Sequence, residues 1–320
     1  MFHQRGWLEA LARTYGYEPF VLTSGSPGKP LTDGVALCRV SSWITGNRAV
    51  SLPFSDHCEP LIDNDAGCSA FANFLRTECD RHEWRYVELR PLSWNWDSDP
   101  QLRRSHTYCF HSLDLTRPVE QIFSRLHKDS LQRRIRRAER SHLSYDTGRS
   151  EHMVNEFYKL LLITRRRHEL FPQPRAWFQN LVECMGDKVQ IRLARKDGVP
   201  IAAILSLRHG YSVVYKYGCS DEKLHRLAAM PFLFWRLIEE SKASGIEQID
   251  FGRSDMDNAG LIAFKDRFGT RKQLLTYFRY SQTESRKPAN WTSQATRQMV
   301  ALLPDAALSA VGRVVYRHMG

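Results

Sequence analysis

EQIDFGRSDMDNAGLIAFKDRFGTRKQLLTYFRY, Glu247 to Tyr280, is the stretch from which the fold is read. EQIDFG reads as a strand that closes at Gly252. A short helix is expected over 259–268, carrying Phe264 and Lys265. KQLLTYFRY, 272–280, is rich in β-branched and aromatic residues and reads as a further strand. Polar groups at a strand's C-terminal end, next to a helix start, are well placed for a ligand. Here those groups are Arg253, Asp255 and Asp257. The triplet DFG does not make a kinase, because no HRD catalytic loop, glycine-rich loop or VAIK strand accompanies it.

Upstream of this stretch a long helix is expected over 226–244, stopped by Gly245 as its C-cap. Three strands precede it: VQIRLAR (189–195), PIAAILSLRHG (200–210) and YSVVYKYGCS (211–220). A tight turn at His209-Gly210 joins the last two as a hairpin. Helices over 150–170 and 174–185 come before. The order β-β-β-α-β-α-β describes an α/β or α+β domain. The first 115 residues also read α/β. Trp7 to Tyr15 and 67–82 are helical, and PFVLT, GVALCRVSS, AVSL, WRYVELR and TYCFHSLDL are strands.

No apolar run approaches the ~20 residues of a membrane-spanning helix. The first twenty residues are interrupted by Glu9, Arg13 and Glu18, which is unlike a secretory signal, so a cytoplasmic location is expected. Seven cysteines with wide spacing and no CxxC argue against a disulfide framework or a structural zinc site. No metal site is expected.

The formal net charge is +11, unevenly spread. Residues 1–115 carry 11 basic and 14 acidic groups; residues 116–320 carry 35 and 21. Such a field attracts anions: nucleic acid, a phosphorylated cofactor or an anionic membrane. It peaks in DSLQRRIRRAER, 129–140. There Leu131, Ile135 and Ala138 fall on one side of a helix, and Arg133, Arg136, Arg137 and Arg140 on the other. Thr116 is the expected N-cap of the helix before it. The segment 116–141 is expected as a basic helical linker between a domain at 1–115 and one at 142–285. Residues 286–320 are expected as a linker and an amphipathic tail helix, 293–318, broken near Pro304. With Arg297, Arg313 and Arg317, that tail suits peripheral contact with an anionic membrane.

Three further segments could carry chemistry. LPFSDHCEP, 52–60, crowds Ser55, Asp56, His57, Cys58 and Glu59 together. Neighbours on a strand face opposite ways, so His57 and Cys58 make a poor nucleophile pair. Substrate contact by Asp56 and His57 and simple backbone capping both stay open. In TRRRHELFPQP, 164–174, Arg167 and His168 either favour the helix C-terminus or reach into a cleft. In YKYGCSD, 215–221, Tyr215 and Tyr217 are expected on one strand face and Lys216 on the other. Paired phenols bind polar substrates and are also ordinary sheet residues.

In this order, SLPFSDHCEPL (51–61), RRIRRAER (133–140), YKYGCSD (215–221) and IDFGR…GLIAFKDRFG (249–269) resemble the Fem-like branch of the GNAT-fold acyltransferases. With the ending VVYRHMG, they look close to the GNAT-like proteins found with exosortase and exopolysaccharide systems. The resemblance runs from about Trp7 to Tyr280. It implies two tandem GNAT-like domains, each a mixed central sheet flanked by helices. It implies transfer of an acyl or aminoacyl group to an amine of an amino sugar, amino acid or cell-envelope or exopolysaccharide precursor.

The family's phenylalanine–lysine pair falls on Phe264-Lys265, so the resemblance implies that Lys265 stabilises the oxyanion or a donor phosphate. Acyl transfer builds negative charge on oxygen, and a fixed cation or N–H stabilises it. The attacking amine must be neutral, and Asp250, Asp255 and Tyr215 are candidates to take its proton. Tyr217, Arg253, Asp56, His57, Arg167, His168 and Phe264 would line the substrate side. Arg133, Arg134, Arg137 and Arg226 would meet donor phosphates. No tightly bound cofactor is expected. Acyl-CoA or another acyl thioester is the implied donor, with aminoacyl-tRNA as the alternative.

Two departures bear on the donor. Only the short basic helices of 117–141 stand where bridge-forming relatives carry a long helical arm for tRNA. Arg226-Leu-Ala-Ala-Met-Pro has no glycine where coenzyme A users cradle a pyrophosphate. The competing expectations are a non-catalytic tRNA- or nucleic-acid-binding module and an aminoacyl-tRNA-dependent peptidyltransferase.

Overall fold

In β8 (Val199–His209) the run from Ile201 to Leu207 is buried without a break, so both faces of this strand are covered. This is a computed structural model. It describes all 320 residues except 26–27, 31, 63–64, 98, 282–299 and 301. The chain forms two compact units. Unit one comprises Met1, 109–273 and 294–310; unit two comprises 2–108, 274–293 and 311–320.

Unit one is built on β6 (Ser144–Gly148), β7 (Val189–Lys196), β8, β9 (Ser212–Ser220) and β10 (Gln248–Asp255). The first four are antiparallel neighbours in that order. β10 adds parallel to β9 through α7 (Ala229–Ala243), and β5 (Arg103–Asp114) follows it. Gly210 at φ +54° makes the tight β8–β9 connection. Helices α5 (Glu151–Arg167) and α6 (Arg175–Met185) cover one face with Phe157, Trp177, Phe178 and Leu181. α7 covers the other, burying Leu233, Phe234, Leu237 and Ile238. It ends as expected: Gly245 takes φ +70°, and the Ile246 N–H returns to the Ser241 carbonyl.

The 116–141 segment lies within this unit. α3 (Val119–Arg125), a π turn at Lys128–Gln132 and α4 (Arg133–Arg140) bury Ile122, Leu126, Leu131, Ile135 and Ala138 in the same core as α7. Thr116 does not cap α3. Its N–H and hydroxyl both bond the Asp114 carboxylate, and the helix starts after Pro118. Beyond β10 come α8 (Ala259–Asp266), capped by the Asn258 side chain, and β11 (Arg271–Tyr280).

Unit two carries β1 (Glu18–Leu22), β2 (Val35–Val40), β3 (Arg48–Val50) and β4 (Val87–Leu89), with residues 278–280 of β11 antiparallel to β4. β1–β2 and β2–β3 are antiparallel, and β3–β4 is parallel across α2 (Asp65–Arg81). Its core holds Leu37, Phe71, Leu75, Trp84 and Phe278. α1 (Arg5–Tyr15) buries Trp7, Ala10, Leu11 and Tyr15.

The expected tail changes in character. Residues 293–299 lie outside the described residues. α9 (Asp305–Met319) buries Leu308, Val315, Tyr316 and His318, and Arg48 donates to the carbonyls of His318 and Gly320. Those four side chains are buried, while Leu302, Val314 and Met319 stay exposed. Among the described residues, no helix is long and apolar enough to cross a membrane.

Candidate functional site

β9 and β10 pair only at their starts, from Gln248↔Ser212 to Asp250↔Val214. Beyond Val214, β9 carries a bulge. Leu205 pairs with Tyr217 and Ser206 with Tyr215, leaving Lys216 as the extra residue. A bulge turns the rest of the strand over, so Tyr215 and Tyr217 do not share a face as the alternation suggested. Tyr215 packs on Phe234 and Phe251. Tyr217 points to α6, where its hydroxyl accepts from Trp177 Nε1 at 2.9 Å.

A cavity of about 420 Å³ opens at this end of β9. Its walls include Tyr215, Gly218, Ser220 and Asp221 from β9 and its end, and Ala228, Ala229 and Met230 from the start of α7. α8 adds Leu261 and Phe264, α5 adds Thr164 and Arg167, and α4 adds Arg134. Gly218 leaves room here for the Tyr215 side chain. A Cβ on it would run into the Tyr215 hydroxyl. Thr164 fixes the strand end: its hydroxyl donates to the Ser220 carbonyl and accepts from the Ser220 N–H. Ala228 at φ +58° opens α7.

The electrostatics divide the cavity. Burial pushes the Tyr215 phenol well above its ordinary range, so it stays protonated. At the other end, Arg167 bonds His225 and His168, and Ser220 Oγ lies 3.0 Å from His225 Nε2. Burial and then Arg167 lower the pKa of both histidines.

Of the residues proposed from sequence, Arg134, Arg167, His168, Tyr215 and Phe264 line this cavity. Others lie elsewhere in unit one. Lys265 is 2% exposed, and its Nζ donates to the carbonyls of Gly252 and Arg253 at 3.0 Å each. Asp250 is buried and accepts from the Gly252 N–H. Arg133 pairs with Asp129 on an exposed face, and Arg137 and Arg226 are exposed.

Asp56 and His57 belong to unit two. The Asp56 carbonyl accepts from Tyr277 Oη, and His57 sits edge-on to Phe2. Cys58 is buried against His3, and burial pushes its thiol up to about 12, which leaves it unreactive at neutral pH. Sequence reasoning missed His225, Thr164, Ser220 and Met230. His225 lies in a 3₁₀ turn, Glu222–Leu227, which has no periodic signature.

Residues 125–266 match the family model described as an acetyltransferase (GNAT) domain. None of the curated proteins matches the chain in sequence. A crystal structure of FemX superposes with TM-score 0.70 at 12% identity, covering 88% of this chain and 92% of that one. The structure of L-PGS from Bacillus licheniformis gives 0.60 at 15% identity, with 99% and 97% covered. A tandem GNAT protein from the clavulanic acid biosynthesis pathway gives 0.52 at 12% identity, with 84% of each chain covered. At these identities the likeness is one of fold.

Proposed function

We propose that the cavity beside β9, in a chain whose residues 125–266 match the family model described as an acetyltransferase (GNAT) domain, transfers an acyl or aminoacyl group from an activated carrier to an amine. The observation that carries this reading is the parting of β9 from β10 beyond Val214, with the cavity at the open end. Strands that stop pairing leave backbone N–H and C=O groups available to an extended donor and to the oxygen of its tetrahedral intermediate.

The reaction forms a C–N bond and breaks the donor's C–S or C–O bond. The leaving sulfur or oxygen needs a proton, and the amine must lose one. Tyr215, held protonated, suits the first task better than the second. Lys265, engaged by two carbonyls, acts by fixing α8, and with it Phe264 and Leu261, against the end of β10. The acceptor class proposed is an amine on an amino sugar, amino acid or cell-envelope precursor, and the donor class an acyl thioester or an aminoacyl ester.

The test incubates the full chain with acetyl-CoA, a long-chain acyl-CoA or aminoacyl-tRNA against glucosamine and a panel of amino acids, with products read by mass spectrometry. Product with one donor, cut about a hundredfold or more by Tyr215→Phe, is the expected result. The second reading, nucleic-acid binding without catalysis, is favoured by the exposed arginines of α4. RNA binding with a steep salt dependence and no product from any donor would replace the first reading with the second.

A further inference from the structure

Arg167 stands between two imidazoles. One guanidinium nitrogen, Nη1, lies 3.1 Å from His225 Nε2; the other, Nη2, lies 3.2 Å from His168 Nε2. A guanidinium only donates, so both Nε2 atoms carry their lone pairs and both rings are neutral, protonated on Nδ1. Ser220 Oγ lies 3.0 Å from the same His225 Nε2. Arg134 lines the same cavity.

The charges around each ring come from several elements. His225 meets Arg167 from α5, Arg134 from α4, and Asp221 and Glu222 beside it. His168 meets Arg167, Arg165 and Glu222. A proton on either ring would break a hydrogen bond and set a cation against Arg167.

We propose that Arg134, Arg167, His168, Ser220 and His225 form a phosphate-binding site that takes up protons as it fills. A phosphate oxygen brought to Arg167 replaces the imidazoles as its acceptor. Each released Nε2 then faces an anion instead of a cation, and a protonated ring donates to it. One shared guanidinium thus becomes a set of separate donors around one ligand. The stretch Arg226–Pro231 supplies no glycine amides, and Pro231 has no N–H, so side chains take the part that a backbone cradle has elsewhere. The ligand class is a phosphate ester or diphosphate. The inference rests on the proposed reaction only for its use, as the donor's handle; binding is measured without turnover.

The sign follows from linkage. In the free protein both rings titrate below their ordinary value, and the anion raises them. Affinity is therefore greatest below the free value and falls as pH rises through the bound value.

Calorimetry on the full chain with sulfate, pyrophosphate and coenzyme A, at pH 6 and pH 8, tests this. Sulfate keeps its charge across that range, so its pH dependence belongs to the protein. The expected result is binding about tenfold or more tighter at pH 6, with a heat that varies with the buffer's ionisation enthalpy. The His168→Gln/His225→Gln double variant should flatten the dependence, and Arg167→Met should abolish binding at both pH values. In the unsubstituted chain, nitrogen-15 NMR should find both rings in the Nδ1–H form and shift them on adding sulfate.

Binding that ignores pH, proton uptake that survives the double variant, or ordinary ring titrations overturn the proposal. An acyl-transfer assay on the same samples separates the two ideas. Proton-linked binding without turnover keeps this site and removes the reaction. Turnover without proton-linked binding does the reverse.

Discussion

The connection after β3 in unit two contains Ser51, Ser55, Asp56, His57 and Glu59; the one after β9 in unit one contains Asp221, Glu222, His225 and Arg226. In the first, the polar groups answer one another. Ser55 Oγ bonds the Leu52 carbonyl, and Arg90 donates to the carbonyls of Leu52 and Ser55. The Glu59 carboxylate accepts from the backbone N–H groups of Leu92, Ser93 and Trp94. Leu52 and Phe54 are held at φ +48° and +61°, which bulky side chains disfavour. In the second, Arg167 and Arg134 arrive from other helices, and the polar atoms face a cavity. Similar polar composition makes a clamp in one place and a candidate site in the other. The difference lies in the partners the fold delivers.

The largest effect should come from breaking the clamp. Glu88 is buried between Arg90 and Arg279. Burial alone would raise its carboxyl; the two guanidiniums overcome this and hold it below the usual carboxylate range. Arg90→Ala removes one partner and the donor to the loop carbonyls, and should cost ~3–5 kcal/mol in urea unfolding. Arg167→Met should cost about 1 kcal/mol or less. The Glu88 contribution is present above the unfolded carboxylate pKa and is lost as pH falls through the lowered folded value. Equal losses in the two variants would erase the contrast between the regions.

Lys265 comes next. Lys265→Met leaves two carbonyls at the end of β10 without their donor, and should cost ~1–3 kcal/mol. An anchoring lysine predicts a lowered midpoint together with lost turnover. A lysine whose part is confined to the oxyanion predicts lost kcat at unchanged stability, measured by the same urea titration.

The periodic elements were legible because their signals are local. The β8 run, the Gly210 turn and the Gly245 stop each sit within a few residues. The orientation of Tyr217 was not. It depends on where β9 slips against Leu205 and Ser206, and a strand's own sequence does not record its partner's register. The stretch 116–141 looked like a linker because its arginines dominate the charge count. Its apolar stripe, Ile122, Leu126, Leu131 and Ile135, was the better guide to its place in the core. Of the cavity, the arginines and Tyr215 were readable as residue types. The pairing of His168 with His225 through Arg167 was not, because it joins a helix end to a 3₁₀ turn 57 positions later.

A smaller change sharpens the cavity side. In Gly218→Ala the new Cβ runs into the Tyr215 hydroxyl and meets its ring carbon at 3.0 Å, so the phenol must move. Met230 Cε, at 3.1 Å, is the end of a flexible chain and yields easily. The expected cost is ~1–3 kcal/mol, with turnover falling further than sulfate affinity, because Tyr215 lies apart from the Arg167 cluster. A matching loss of both would mean that the cavity responds as one body rather than as two ends.

The smallest effect is expected at Arg133, and its value lies in its neighbour. Arg133 and Arg134 are consecutive on α4 and carry the same charge. Arg133 pairs with Asp129 where both side chains are more than 60% exposed, whereas Arg134 reaches the cavity. If anion binding came from the general positive field of α4, either substitution to Ala would weaken sulfate equally, and both losses would vanish in salt. If it comes from a built site, Arg134→Ala weakens sulfate several-fold and Arg133→Ala leaves it unchanged, as direct contacts differ from distant charges. Two titrations at one ionic strength therefore decide whether the basic helix contributes a field or a residue.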